Sequence, residues 1–577
     1  MIAFTLAELC RFTQCKLAGP TAAADADADA ADAASAAADA AGVSAASAAS
    51  AGVAATGAAS AAGAAAGQEV EIKHVSTSSK DISAGDQTLF IPLKGERFDG
   101  HDFILDALRA GACAFATHKS EDELLAAMDS SQQQEYKRLR VHCYVLQCAD
   151  TLRFLGQCGE LVRQKSHALI GAITGSCGKT TVKEMSAAIL SQCAKTLFTA
   201  GNFNNDVGVP LTLLRLKEHQ PYAIVEQGAS HLQDIARTAE FVEADFALIT
   251  NVGDAHILGF GSHEGVYHGK SEILDHLYYL HPVADHHVVQ TPKSEREVGI
   301  GIVPADNEWW PQWQQDYAAA LKAGKLLSFG EHADATMQVS QIEEKAESIS
   351  FHLHCKDERF PLDADFTLQM LGRHNAINAA GAALLALVMG ADAEAVKQGL
   401  EVAQLIKGRL TPQHFGLLTV IDDAYNASFN AVLAAIDTLN KQEGLRILIL
   451  GDMGELGNDE IALHEAVGRH AQNKIDLLLC IGPLSQYCVQ AMGHQACHFL
   501  RHGDLIQVLQ ARVAEALAMQ RPVCCLVKGS HAMHMEQVVS ALQELGKQRL
   551  PQAAGAVSAD AASAAATSAD TSADTCA

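Results

Sequence analysis

The stretch Ala172-Ile173-Thr174-Gly175-Ser176-Cys177-Gly178-Lys179-Thr180-Thr181 combines the residue types and spacing that hold a nucleotide phosphate. An apolar run, Ala168 to Ile173, precedes it, and a helix-like segment, Val182 to Leu190, follows it. A strand, a glycine-rich turn and a helix N-terminus in that order aim backbone N–H groups at a phosphate, and the helix dipole adds favourable potential. Lys179 is spaced to reach the terminal phosphates, and the Thr180 hydroxyl to ligate Mg²⁺. The generic phosphate loop has its first glycine where Ile173 stands. Here that glycine is Gly175, so the loop is the shortened T-G-S-x-G-K-T-T form. An ordinary Gly-rich turn is the competing reading, and Gly-Lys-Thr-Thr at a helix start after a buried strand speaks against it.

Other polar residues fall where apolar runs end. Glu226, in Val225-Glu226-Gln227-Gly228, is either a Mg²⁺ ligand or a helix-capping or solvated carboxylate. His256 closes Thr250-Asn251-Val252-Gly253-Asp254-Ala255-His256 and suits a metal or a phosphate, though the chain has 26 histidines and a lone one is more often structural. Lys270, taken alone, reads as a solvated helix lysine. Asn375 and Asn378, three apart at the start of an Ala-rich helix, share a face and can meet one ligand base. Helix capping is the alternative for Asn375.

These residues need a frame, and 577 residues leave room for about three domains. The first α/β block has strands at Thr88 to Leu93 and Cys113 to Ala116 with a helix, His101 to Ala110, between them. The second has strands at Ala168 to Thr174, Tyr222 to Glu226 and Phe246 to Asn251. The third has strands at Leu417 to Ile421, Leu445 to Leu450, Leu477 to Ile481 and Val523 to Val527, with a helix at Asn430 to Leu439. Alternating apolar strands and helices predict largely parallel sheets covered on both faces, with ligands at the carboxyl ends of the strands. Thr21 to Gly67 and Pro551 to Ala577 are dominated by Ala, with Asp, Ser and Gly, and have almost no large apolar side chains to bury; they are expected to be solvated. The formal charge of −26 disfavours nucleic acid and anionic membranes. The 15 cysteines include no C-x-x-C pair, which predicts reduced thiols rather than a disulfide framework or zinc site. Neither a signal peptide nor a membrane span is expected.

Taken together, these phrases resemble the Mur ligase family, ATP-dependent amide-forming enzymes of bacterial cell-wall synthesis. The match extends through Leu93 to His101, Thr199 to Pro210, His256 to Ser262, Ile421 to Ala427, Leu450 to Gly457 and Val527 to Ser530. It is strongest to the member that adds D-alanyl-D-alanine to UDP-N-acetylmuramoyl-tripeptide. The resemblance implies an α/β protein of three domains: a UDP-binding domain at 1–165 carrying the Ala-rich insertion 21–67, a central P-loop-type ATPase domain with a mainly parallel sheet at 166–407, and a Rossmann-like domain at 408–550. A disordered tail, 551–577, follows. It also implies a cytoplasmic monomer serving peptidoglycan synthesis, and with it cell shape and division.

The implied chemistry is attack of a substrate carboxylate on the γ-phosphate of ATP, then displacement of phosphate from the acyl phosphate by the dipeptide amine. The catalytic set is Lys179, Glu226, His256, Lys270 and Arg409. Thr174, Gly175, Ser176, Cys177, Gly178, Lys179, Thr180, Thr181, Asn375, Asn378 and Arg409 bind ATP. Thr180, Glu226, His256 and a carbamylated Lys270 serve two Mg²⁺ sites. Asn202, Asn205, Asp423, Tyr425 and Asn426 face substrates, as do Thr77 and Ser79 on the UDP side. Three phrases depart from the family. Its T-D-S-R reads Thr77-Ser78-Ser79-Lys80, its N-A-N-P reads Asn426-Ala427-Ser428-Phe429, and the basic residue common after K-G-S is His531. Two other readings stay open: a sister Mur or folylpolyglutamate-type ligase, and a non-catalytic nucleotide-binding scaffold. Joint retention of the five catalytic residues argues against the scaffold.

Overall fold

Short runs of Ile, Leu, Val and Phe, each broken by Gly, Pro or a polar pair, set the strands of this chain. The structure, a computed structural model, describes all residues except 21–69, 96–97, 254, 278–298, 346–347, 404–410, 455, 457–458 and 550–577. Both Ala-rich segments and Arg409 therefore lie outside the described residues. The chain divides into two compact units. One comprises Met1–Ala172, Ala194–Gly228 and Asp234–Asp245; the other comprises Ile173–Cys193, Ala229–Gln233 and Phe246–Ala577.

In the first unit β1 (Phe4–Thr5) pairs antiparallel with β3 (Glu71–Ile72). A five-stranded sheet follows from β2 (Lys16–Ala18), β4 (His74–Ser76), β5 (Thr88–Phe90), β6 (Ala114–Thr117) and β7 (Tyr144–Gln147), in the order β2-β7-β6-β5-β4. Its strands are parallel except the edge strand β2. Phe90, Leu105, Leu108, Phe115 and Tyr136 form the core beneath it. The strand expected to reach Leu93 stops at Phe90, because Pro92 has no N–H to extend the ladder. Strand β8 (Leu169–Thr174) begins in this unit, which also holds the parallel pair β9 (Thr196–Phe198) and β10 (Tyr222–Glu226).

In the second unit β11 (Phe246–Ile249), β12 (Ile300–Pro304), β13 (Leu326–Gly330), β14 (Met337–Glu344), β15 (Ile349–Cys355) and β16 (Asp363–Leu368) lie side by side in chain order. Pairing is parallel as far as β14 and antiparallel beyond it. The parallel strands are buried on both faces, whereas β15 alternates buried and more exposed residues, as a sheet with one wet face does. This antiparallel extension was not among the sequence expectations.

A second sheet in this unit contains β17 (Thr411–Phe415), β18 (Leu418–Asp423), β19 (Leu445–Gly451), β20 (Leu477–Ile481), β21 (Ala496–Phe499) and β22 (Val523–Lys528), ordered β17-β18-β22-β19-β20-β21. Only β17 is antiparallel. Successive residues of β19 serve opposite cores: Leu448 and Leu450 pack with Val432 and Ile436, Ile447 and Ile449 with Leu505 and Leu509. That two-sided burial makes the strands read as unbroken apolar runs. Among the described residues no helix is long and apolar enough to cross a membrane.

Candidate active site

Thr174 ends β8, and the helix Lys179–Cys193 starts five residues later, so the turn between them presents its N–H groups at a helix N-terminus. Two glycines are required by space. Gly175 has φ +143°, and a Cβ there would lie 2.0 Å from Thr250 Oγ1; Gly178 has φ +79°, and a Cβ there would lie 2.7 Å from Asn378 Oδ1. The residues after β11 hold the loop. Ser176 N–H donates to Asn251 O at 3.0 Å, Cys177 N–H to Asn251 Oδ1 at 2.8 Å, and Gly253 N–H to Ser176 Oγ at 3.0 Å. Strand β11, expected to reach Asn251, stops at Ile249 because Thr250 and Asn251 turn to this task. Lys179 Nζ donates to Gly175 O at 2.7 Å. Thr174 Oγ1 is buried with no partner among the described residues, an orphaned polar atom under the loop. Thr181 is buried and Thr180 half-buried at the helix start.

Cys177, within the loop, is half-buried. Its Sγ is 3.6 Å from Ser428 Oγ, and both line a cavity of about 200 Å³ with Asn251, Asn307 and Asn430. Asn375 and Asn378 do share a face: Asn378 Nδ2 donates to Asn375 Oδ1 at 3.3 Å, and Asn378 abuts Gly178. Asn375 is not a cap. It lies inside the helix His374–Val388 and donates its amide back to Leu371 O at 2.7 Å.

His256 adopts a left-handed conformation, φ 60°, ahead of the short helix Ile257–Phe260. Lys270, on the helix His263–Asp275, is 0% exposed, which corrects the reading of a solvated lysine. Its Nζ donates to Ala229 O at 3.0 Å and stands 5.1 Å from the Phe260 ring centroid. Sequence reasoning assigned no role to the side chains that anchor this helix. Tyr267 OH donates to Asp316 and Tyr317 OH to Asp275, both at 2.7 Å, and Trp313 Nε1 donates to Ser271 Oγ at 3.0 Å.

In the first unit Glu226 is 1% exposed at the end of β10, neither solvated nor a cap. Its Oε1 accepts from Asn204 Nδ2 at 2.9 Å, and its N–H donates to Thr199 Oγ1 at 2.9 Å. The asparagine that orients Glu226 is thus Asn204, between the two singled out from sequence. Asn205 Oδ1 accepts from Gly208 N–H at 2.8 Å, and Asn202 O accepts from Asn204 N–H. Thr77 and Ser79 follow β4 at its carboxyl end, where Ser78 caps the turn Ser79–Asp81. Near the carboxyl end of β6, Asp99 accepts from His101 Nδ1 at 2.7 Å and from Lys119 Nζ at 2.8 Å. Partial burial pushes the Asp99 carboxyl up, but those bonds outweigh it and hold it well below the usual carboxylate range. Burial lowers the His101 imidazole against the pull of Asp99.

In the second unit Asp423 ends β18, and Tyr425 and Asn426 follow it. Asp423 Oδ2 accepts from Lys528 Nζ at 2.6 Å, and the same ammonium donates to Asn426 O at 2.9 Å. Lys528, buried at the end of β22, belongs to a matched phrase yet carried no assignment from sequence. Tyr425 stands edge-on to His531, with centroids 6.2 Å apart.

Known proteins resemble this chain along most of its length. The Mur ligase family catalytic domain matches residues 71–157, the Mur ligase middle domain 173–386, and the Mur ligase glutamate ligase domain 408–531. The UDP-N-acetylmuramoyl-tripeptide–D-alanyl-D-alanine ligase of Escherichia coli is 37% identical over 83% of this chain and 96% of its own length. The enzyme of that name from Haemophilus influenzae is 34% identical over 83% and 95%. The crystal structure of MurF from Acinetobacter baumannii superposes with a TM-score of 0.70 at 31% identity, covering 82% of this chain and 94% of that one. The chain belongs to the Mur ligase family.

Proposed function

We propose that this chain joins D-alanyl-D-alanine to UDP-N-acetylmuramoyl-tripeptide in an ATP-dependent, ADP-forming reaction through an acyl phosphate. The observation that carries this reading is the loop between Thr174 and Lys179. Two positive-φ glycines leave it no room for a Cβ at Gly175 or Gly178, and Thr174 contributes an orphaned buried hydroxyl. A nucleotide phosphate fits such a cradle. The identity to the E. coli ligase along nearly its whole length supplies the substrates.

A carboxylate and a phosphate repel each other, so the first step depends on positioning and charge neutralisation. Lys179 neutralises the phosphoryl group in transfer, its ammonium exchanging Gly175 O for phosphate oxygens. The hard oxygens of Thr180 and Glu226 suit Mg²⁺; His256 and a carbamylated Lys270 are assigned to a second ion. Bound there, Mg²⁺ supplies charge that screens the phosphates. Asn204 holds the Glu226 carboxylate in one rotamer. Asn375 and Asn378 are assigned to the nucleotide base, and Arg409 to the phosphates. Thr77, Ser79, Asn202 and Asn205 take the UDP substrate. Asp423 and Asn426, both held by Lys528, take the dipeptide together with Tyr425, and its amine displaces phosphate from the activated carbonyl. The three domains assigned from sequence, 1–165, 166–407 and 408–550, carry these three duties.

Phosphate release from ATP and Mg²⁺ tests the reading. It should require both UDP-N-acetylmuramoyl-tripeptide and D-alanyl-D-alanine and yield a UDP-linked pentapeptide by mass. Turnover with a single amino acid on a shorter precursor would replace it with a sister ligase.

A further inference from the structure

The helix Leu6–Thr13 carries Cys10 in its second half, and the chain leaves the helix through Gln14, at φ 57°, before Cys15 leads into β2. That reversal turns two thiols toward each other: Cys10 Sγ and Cys15 Sγ are 3.3 Å apart. Both are half-buried, so small reagents reach them. The contact makes the pair unequal. The contact with Cys10 draws the Cys15 thiol down to about 7, with help from Thr13, while the same contact and burial push the Cys10 thiol up. One sulfur ionises more readily than its neighbour, the division of labour between an attacking and a resolving thiol. Cys148 is not placed to compete. Burial, reinforced by the Cys15 charge, pushes it up to about 12, and its Sγ donates to Thr117 O at 3.6 Å.

We propose that Cys10 and Cys15 form a reversible dithiol site that low-molecular-weight disulfides of the glutathione class convert to an intramolecular disulfide. The ligase reading uses neither residue, so the two stand or fall separately. The Cys15 thiolate attacks one sulfur of the disulfide reagent; that sulfur–sulfur bond breaks, and one glutathione leaves as a thiolate that takes up a proton. Cys10 then gives its proton to water and attacks the Cys15 sulfur, and the second glutathione leaves. Two protein thiols are oxidised and one small disulfide is reduced to two thiols, with no other electron acceptor. The new bond fastens the end of the helix to the start of β2 across Gln14.

Trypsin cuts after Arg11 and Lys16, which separates the two cysteines. The full-length reduced protein is equilibrated with glutathione disulfide, alkylated, digested and weighed. The expected product is Met1–Arg11 joined to Phe12–Lys16, two hydrogens lighter than the reduced pair, and excess glutathione should restore the separate peptides. Cys10→Ser should trap glutathione on Cys15 and slow its alkylation near neutral pH about fivefold, the gain in thiolate fraction being partly offset by lower nucleophilicity. Cys15→Ser should leave Cys10 unmodified. Recovery of both wild-type peptides as separate alkylated or glutathionylated species, or a Cys15–Cys148 link in place of the Cys10 link, overturns the proposal.

Discussion

Strand β8 has two unlike ends. At its amino end Arg163 is fully buried and donates to Val242 O at 3.1 Å, Glu243 O and Ala168 O at 3.0 Å and Asp245 Oδ2 at 2.9 Å. Asp245 also accepts from Ile170 N–H at 2.7 Å. At its carboxyl end Thr174 Oγ1 has no partner among the described residues, Gly175 and Gly178 pack too closely on Thr250 and Asn378 to carry a Cβ, and Lys179 donates to a carbonyl of the loop itself. One end is a closed network that needs nothing more. The other leaves the buried Thr174 hydroxyl unfilled among the described residues, and unfilled polar capacity is what a ligand uses. Under the proposed function, the contrast separates residues that keep the fold from residues assigned to the chemistry.

Asp245→Ala gives the largest expected effect, because it strands a buried guanidinium. Stability should fall by about 3–5 kcal/mol, read as a lower urea midpoint, while turnover per folded molecule is kept. Lys179→Ala should do the reverse. Phosphate release should drop about 10²–10³-fold, with the unfolding midpoint moved by less than about 0.5 kcal/mol. If either variant lost stability and turnover together, the separation of the two ends would be wrong. Asn251→Ala sharpens the contrast with a smaller effect. It removes the acceptor for Cys177 N–H and should weaken ATP binding by about 1–2 kcal/mol, seen as a KM for ATP raised about tenfold with kcat little changed.

The open end was legible in the sequence and the closed end was not. The phosphate loop is one continuous stretch, and its glycines, Lys179 and Thr180 announce themselves by spacing. Glu226 and Lys270 were singled out by matching phrases, but their burial was not foreseen, since a lysine on a helix is ordinarily solvated. Positioning partners escaped wherever they are distant in the chain. Lys528 pins Asp423 from 105 residues away, and Arg163 meets Asp245 across 82. No local pattern encodes such a pair. Asn204 escaped for the opposite reason: three asparagines crowd one phrase, and only the backbone after β9 decides which amide meets Glu226. The α/β blocks were read correctly because strands buried on both faces are plain apolar runs, whereas β15 and β16, half-wet and alternating, carried a weaker signal.

The closed end contains one group that works against it. Glu160, on the same helix as Arg163, has its carboxyl raised to about 7 by burial first and then by Glu243 and Glu240, with Arg153 opposing. In an unfolded chain a glutamate titrates near 4.3 (about 4.3). Between about 4.3 and about 7 the folded protein therefore holds a proton that the unfolded chain has lost, and the stability contributed by Glu160 falls as pH rises through that window. Above about 7 both states are ionised there, and the penalty is constant. Glu160→Gln should remove the slope. The variant should match the parent at about pH 4 and exceed it at about pH 8 by about 1 kcal/mol, allowing for solvent screening of a partly exposed group. Denaturant midpoints at the two pH values decide it. A gain of equal size at both would mean that the carboxyl is unfavourable for its shape rather than its charge, and the amino end of β8 would then be strained by packing instead of by electrostatics.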